Sequence, residues 1–166
     1  EFEYEGHIIK NFAENPFRNF RVQGDAQFIE DAQNAKLGPS FKDFKECVEG
    51  ASIFAIITAR GHNPDTLKEA CKSYIMNKFG GIDTEKVISS IKKYNELYGS
   101  SNTNDASKLV DDYLKLCQFS PVSNPQIAGT DSAAAASPEE LKASELRRFI
   151  DHVDKQVSRI NKKIAK

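Results

Sequence analysis

The sequence predicts a helix-rich α/β fold, a parallel sheet flanked by helices, and three observations carry that expectation. The apolar run Ile53-Phe54-Ala55-Ile56-Ile57 has the isoleucine-rich character of a strand buried on both faces. Helix-period stripes flank it, with Phe41, Phe44, Cys47 and Val48 before it and Leu67, Ala70, Cys71, Tyr74, Ile75 and Phe79 after it. Only a turn separates the first stripe from the run, and a short loop separates the run from the second. That alternation is the grammar of an α/β unit.

A chain of 166 residues, 39% apolar and 28% charged, is long enough for one domain with a real core. Its 23 basic and 24 acidic side chains give a net charge of -1, which argues against a nucleic-acid or membrane partner. No apolar run approaches the roughly 20 residues needed to span a bilayer, and no basic and apolar series opens the chain as a signal peptide would. The expected location is cytoplasmic. Cys47, Cys71 and Cys117 are odd in number and lack metal-ligand spacing, so they are expected to be reduced and buried.

Taken in order, Glu1-Phe2-Glu3-Tyr4-Glu5 alternates polar and aromatic residues, as a half-exposed strand ending at Gly6 does. Residues 10–38 scatter Phe12, Phe17, Phe20 and Phe28 among Asn, Pro and Gly, with helical phase only near 26–35, and read as a loop-rich cap or insert. A helix follows, capped by Ser40 and ended by Gly50. The buried strand then occupies 52–58. Asn63 and Pro64 form a cap and first helical position for a stripe that runs to Gly80-Gly81.

A further helix, capped by Asp83, carries Val87, Ile88, Ile91, Tyr94 and Leu97 to Gly99, and another spans about 105–117. Residues 118–123 read as a short strand or extended segment, with Pro121 favouring an edge, a strand start or no strand. Residues 124–136 form a low-complexity connection expected to be mobile. Ser137-Pro138-Glu139-Glu140 is a capping-box helix start, and a long amphipathic helix over 137–166 follows, with Leu146, Phe149 or Ile150, Val153, Val157, Ile160 and Ile164 as its seam. Its basic end, with Lys155, Arg159, Lys162, Lys163 and Lys166, either complements the helix dipole or docks an acidic partner.

Thr58 closes the apolar strand, and Arg60 precedes a helix start. Ligands of open α/β sheets bind outside the carboxyl ends of the strands, where helix N-termini attract anions. A hydroxyl, backbone amides and Arg60 are therefore placed to meet one phosphoryl group, with Gly61 and His62 beside them. His62 reads either as an acid/base or anion ligand, or as a loop histidine without a role. His7 and His152 are isolated, so the sequence supports no metal site.

The stretch IFAIITARGHNPDTLKEA resembles the second motif of the haloacid-dehalogenase-like (HAD) hydrolase superfamily, where an apolar strand ends in Thr or Ser, often as T-A-R. The resemblance covers about 41–149, with its specific wording at 52–70. It implies a Rossmann-like core and a Mg²⁺-dependent phosphatase acting on a phosphorylated small molecule or protein. Thr58 would hold the phosphoryl group, Arg60 would contact phosphate or substrate, and Lys142, in the run P-E-E-L-K, would neutralise the phosphorylated intermediate.

Such chemistry also needs a D-x-D nucleophile motif and a final acidic pair holding Mg²⁺, and this sequence contains neither. Asp25 lies in a polar loop, and Asp111 and Asp112 face solvent on an amphipathic helix. The expectation is a fragment of a phosphatase core, or else a degenerate member of the family. The alternative from another class is an inactive interaction module whose C-terminal helix packs on a partner helix.

Overall fold

The structure is a computed structural model that describes residues 2–4, 7–9, 24–98, 103–128 and 136–165. Two short strands, β1 (Phe2–Tyr4) and β2 (His7–Ile9), pair antiparallel, with Phe2 opposite Ile9. The opening strand is thus present, and it is one arm of a hairpin that the alternation alone did not reveal. Most of the expected insert, residues 10–23, lies outside the described residues. Its helical phase is helix α1 (Asp25–Asn34).

Helix α2 (Phe41–Glu49) begins after Ser40 as expected, yet the Ser40 side chain makes no cap bond. Its backbone is already helical there, and the Phe41 and Phe44 amides donate to the carbonyls of Gly38 and Ser40. At the other end, Glu49 is buried and locks α2 to helix α4 (Thr84–Tyr98). Its carboxylate accepts the Asp83 amide at 3.0 Å and pairs with Lys45 at 3.0 Å and Lys86 at 3.1 Å. The Asp83 backbone bond first, then Lys45 and Lys86, hold its pKa down at about 2.

A carboxylate with a depressed folded-state pKa contributes stability above its unfolded value, and that contribution is lost as pH falls toward 2. Glu49→Gln is therefore expected to flatten the stability-against-pH profile between roughly pH 5 and pH 2, read by urea midpoints. An unchanged slope would show that the Glu49 contacts are energetically idle.

Strand β3 (Ala55–Thr58) pairs in parallel with β4 (Gln118–Pro121), Ala55 opposite Gln118 and Thr58 opposite Pro121. The parallel pairing, with helices between the strands, gives an α/β arrangement in a chain that is mostly helix. The strand is shorter than the expected 52–58, because Ser52 to Phe54 is extended chain that joins the ladder only through the Phe54 carbonyl, which accepts from Gln118 at 2.9 Å. The expectation that it is buried on both faces is corrected too, since all four β3 residues are half-buried. The ladder explains this. Phe54 and Thr58 accept from Gln118 and Val122, so the backbone groups of Ala55 and Ile57 point the other way, where no strand stands among the described residues.

On β4 the same alternation turns the nitrogen of Pro121 outward, where its missing N–H leaves no ladder bond unmade. Side chains alternate across the sheet, so Phe54, Ile56 and Phe119 share one face and Ala55, Ile57, Gln118 and Ser120 share the other. The first face meets helices α3 (Pro64–Met76) and α5 (Ala106–Leu114) in a core that includes Leu67, Cys71, Ile75, Leu109, Tyr113 and Leu114. Phe54 is its hub, edge-on to Phe44, Tyr113 and Phe119 at 5.5, 6.3 and 5.9 Å.

Helix α3 stops at Met76, short of the glycines, because Lys78 turns left-handed and a 3-10 turn spans Phe79–Gly81. Gly80 is required there. Its φ is +57° and an added Cβ would lie 2.3 Å from the Phe41 ring. Asp111 and Asp112 do not simply face solvent; Asp111 pairs with Lys72 at 2.8 Å and Asp112 with Lys115 at 2.8 Å. The cysteines are free thiols; Cys71 is buried as expected, whereas Cys47 and Cys117 are half-buried, and burial pushes the Cys71 and Cys117 thiols up to about 12.

The connection after β4 starts with one helical turn, α6 (Pro125–Ala128), rather than with irregular chain, and 129–135 lie outside the described residues. Helix α7 (Pro138–Ile164) opens with the full capping box on Ser137 and Glu140. It packs on the second face of the sheet, where Glu145 accepts from Ser120 at 2.6 Å and Gln118 at 3.1 Å. No described helix is long and apolar enough to cross a membrane.

Candidate functional site

Thr58 is the last residue of β3, and the loop after it is stitched to the loop after β4. The Thr58 carbonyl accepts from Val122 at 2.8 Å and the Arg60 carbonyl from Ser123 at 3.2 Å. The buried Asn124 side chain donates to the carbonyls of Gly61 and His62 at 3.1 and 2.9 Å. Four carbonyls between 58 and 62 are thereby held on the β4 side. The amides of Ala59 through Asn63 have no acceptor among the described residues. Neither has the Thr58 hydroxyl.

The loop runs directly into α3, whose N-cap is Asn63, accepting from the Asp65 amide at 2.9 Å, with Pro64 in the first turn. The unpaired amides lie in the loop just ahead of this thirteen-residue helix, whose own first donors, Asp65 and Thr66, are taken by the side chain and carbonyl of Asn63.

His62 lies deeper than a loop histidine should. It is 0% exposed, neither ring nitrogen has a hydrogen-bond partner, and the ring rests 4.7 Å from Phe28 of α1. The Arg60 guanidinium lies over the same Phe28 ring at 5.0 Å, and its Nη1 is buried without a partner. Asp25 is not in a polar loop but is the first residue of α1, and its Oδ1 is also buried and unpartnered. Burial holds the His62 pKa below its ordinary value, with Asp25 opposing that shift and Arg60 adding to it. Polar atoms of Asp25, Arg60 and His62 are thus buried without a partner among the described residues, on two neighbouring elements, α1 and the loop after β3. A cavity of about 640 Å³, lined by Phe28, Asp31, Asn34, Arg60 and Tyr74, opens beside Arg60.

Lys142 reaches the same end of the sheet by the run of α7. Glu145 meets Ser120, and His152, seven residues later, lies 2.8 Å from the Leu116 carbonyl, before β4 begins. The helix therefore runs antiparallel to β4, and Lys142, about one turn ahead of Glu145, comes level with the carboxyl ends of the strands. It is half-buried and carries no ion pair or hydrogen bond among the described residues. Mg²⁺, which the resemblance implies, needs several oxygen ligands. Among the described residues no three His, Cys, Asp or Glu side chains stand together to hold a metal, so these residues do not fit it.

The sequence singled out Thr58, Arg60, Gly61, His62 and Lys142, and it did not single out Asp25, Phe28, Asn124 and Glu145, which the fold sets against these elements. Gly24 before an acidic first turn, and Asn124 before Pro125, were the available signals. No family model matches the chain, and no curated protein or solved structure matches it either.

Proposed function

We propose that this chain carries the phosphate-holding half of a HAD-like phosphoryl hydrolase, built on a Rossmann-like core of which β3 and β4 are two neighbouring strands. The observation that carries the reading is the loop 58–63, where a free hydroxyl and a run of acceptor-free amides meet at the start of α3 beside Arg60 and the orphaned ring of His62. A phosphoryl group there accepts from the Thr58 hydroxyl and the amides, while Arg60 offsets its charge. Lys142 adds a second cation from the same end of the sheet.

The nucleophile of this reading is an aspartate on a further strand, and the edge of β3 left open by Ala55 and Ile57 is the position from which such a strand reaches Thr58. That strand would also bring the carboxylates for Mg²⁺.

Titrating the ¹⁵N-labelled chain with inorganic phosphate and with orthovanadate tests the pocket. The amides of 58–63 are expected to shift, and the His62 pKa to rise as an anion seats beside it. Thr58→Ala and Arg60→Ala should each weaken binding by about tenfold. Unmoved amides at millimolar phosphate would remove the pocket. Turnover of p-nitrophenyl phosphate by this chain alone, abolished in Thr58→Ala, would show that the nucleophile lies within these residues and refute its placement on a further strand.

A further inference from the structure

Asn124 does more than start a helical turn. It precedes α6, and its Oδ1 accepts the Gln126 amide at 2.9 Å, which fixes that atom as the oxygen and turns the side-chain nitrogen the other way. A cap of this kind needs only an oxygen, which aspartate or serine supplies as well. The nitrogen serves another loop. It donates to the Gly61 carbonyl at 3.1 Å and the His62 carbonyl at 2.9 Å, from a residue only 4% exposed. Two donors and an acceptor on one short planar group are what a carboxamide has and a carboxylate or a hydroxyl lacks.

A trans peptide is planar, and its N–H points opposite to its C=O. The Gly61 carbonyl shares its plane with the His62 amide, and the His62 carbonyl shares its plane with the Asn63 amide. By holding both carbonyls on the β4 side, Asn124 turns the amides of His62 and Asn63 toward the opposite face of the loop, where no described residue accepts them. The earlier planes are held differently. Val122 and Ser123 anchor the Thr58 and Arg60 carbonyls through backbone amides, which orients the Ala59 and Gly61 amides without any side chain.

We propose that Asn124 is a positioning residue of the anion site, holding the peptide planes 61–62 and 62–63 so that the His62 and Asn63 amides face the bound phosphoryl group. This rests on the phosphate reading of loop 58–63 and adds to it a residue from the loop after β4 that acts only through the backbone it holds. Without the Asn124 donors either plane is free to rotate and present its carbonyl oxygen, which repels an anion where an amide would attract it.

Sulfate is the probe, because its charge stays constant between about pH 5 and about pH 8, where carboxyl and imidazole groups titrate. Titrated into the ¹⁵N,¹³C-labelled chain, it is expected to shift residues 58–63 of the wild type at both pH values. Asn124→Asp keeps an acceptor for the Gln126 amide but sets a carboxylate against two carbonyls, and at about pH 8 sulfate affinity should fall at least about tenfold. Buried against those carbonyls, the acid protonates well above its ordinary value, and its O–H then donates to one of them, so by about pH 5 the deficit against the wild type should shrink to about threefold. Asn124→Ala should lose as much at both pH values. Ile91→Ala, a core truncation on α4, lowers the thermal midpoint and should leave sulfate affinity within about twofold, which separates positioning from plain loss of stability.

In sulfate-free protein, Asn124→Asp should move the carbonyl ¹³C resonances of Gly61 and His62 further than those of Thr58 and Arg60. Resonances that stay in place overturn the positioning whether or not an anion binds. Sulfate that shifts the wild type and binds Asn124→Asp equally well, or a loss that low pH does not relieve or that Ile91→Ala matches, overturns it too and leaves the phosphate reading standing. A wild-type loop that ignores sulfate overturns the phosphate reading, and with it this role for the His62 and Asn63 amides.

Discussion

Phe54→Ala is expected to destabilise the chain by about 4 kcal/mol, since it empties a ring-sized volume where three other aromatic rings meet edge-on. Single domains of this size have only about 5 to 15 kcal/mol in total. One substitution therefore removes a large share, and the urea midpoint should fall with the slope unchanged. Phe54 also delivers β3 to its register, through the carbonyl that accepts from Gln118. Phosphate shifts at 58–63 should weaken in the same variant. A loss under about 1 kcal/mol would mean the neighbouring rings collapse into the space and that Phe54 is not the hub.

The second large effect is expected at Glu145. Its carboxylate is nearly buried and accepts from Ser120, Gln118 and, at 3.3 Å, Arg148. Truncation to alanine leaves the fully buried Ser120 hydroxyl without its acceptor, at a cost of about 2 to 3 kcal/mol. Glu145→Gln keeps an acceptor and should lose about half as much. A double-mutant cycle with Ser120→Ala checks the assignment, with a coupling of about 1 kcal/mol or more expected and additivity counting against it. Because Glu145 pins α7 to β4, its loss should also release Lys142 from the level of Thr58. Anion affinity should then fall in Glu145→Ala more than in Glu145→Gln.

Local signals in the sequence carried most of the elements. The Asn63-Pro64 start, the Asp83 cap and the Ser137 capping box each depend on side chains within three residues of the bond they make. The partner of β3 was legible only as an ambiguous extended segment, because pairing 55–58 with 118–121 joins residues about sixty positions apart. The same distance hid Asn124, which reads as a turn residue until the two strand ends come together. His62 was legible as a neighbour of the helix start but not as a buried ring, since its burial comes from Phe28 on a helix with no buried residue of its own. Glu145 looked like one more acid on a charged helix. Its meaning came from Ser120 and Gln118 across the chain.

Pro121 has a consequence for self-association through the sheet. Among the described residues, the outer side of β4 both lacks a donor at Pro121 and is buried there, so strand-on-strand growth has β3 as its open side. Two molecules that met there would each bring one competent edge and one spoiled one. Such an encounter ends at a closed pair instead of lengthening into a fibre. Among the described residues the sheet has a single usable side, and the burial of Pro121 together with its missing donor closes the other to open-ended polymerisation.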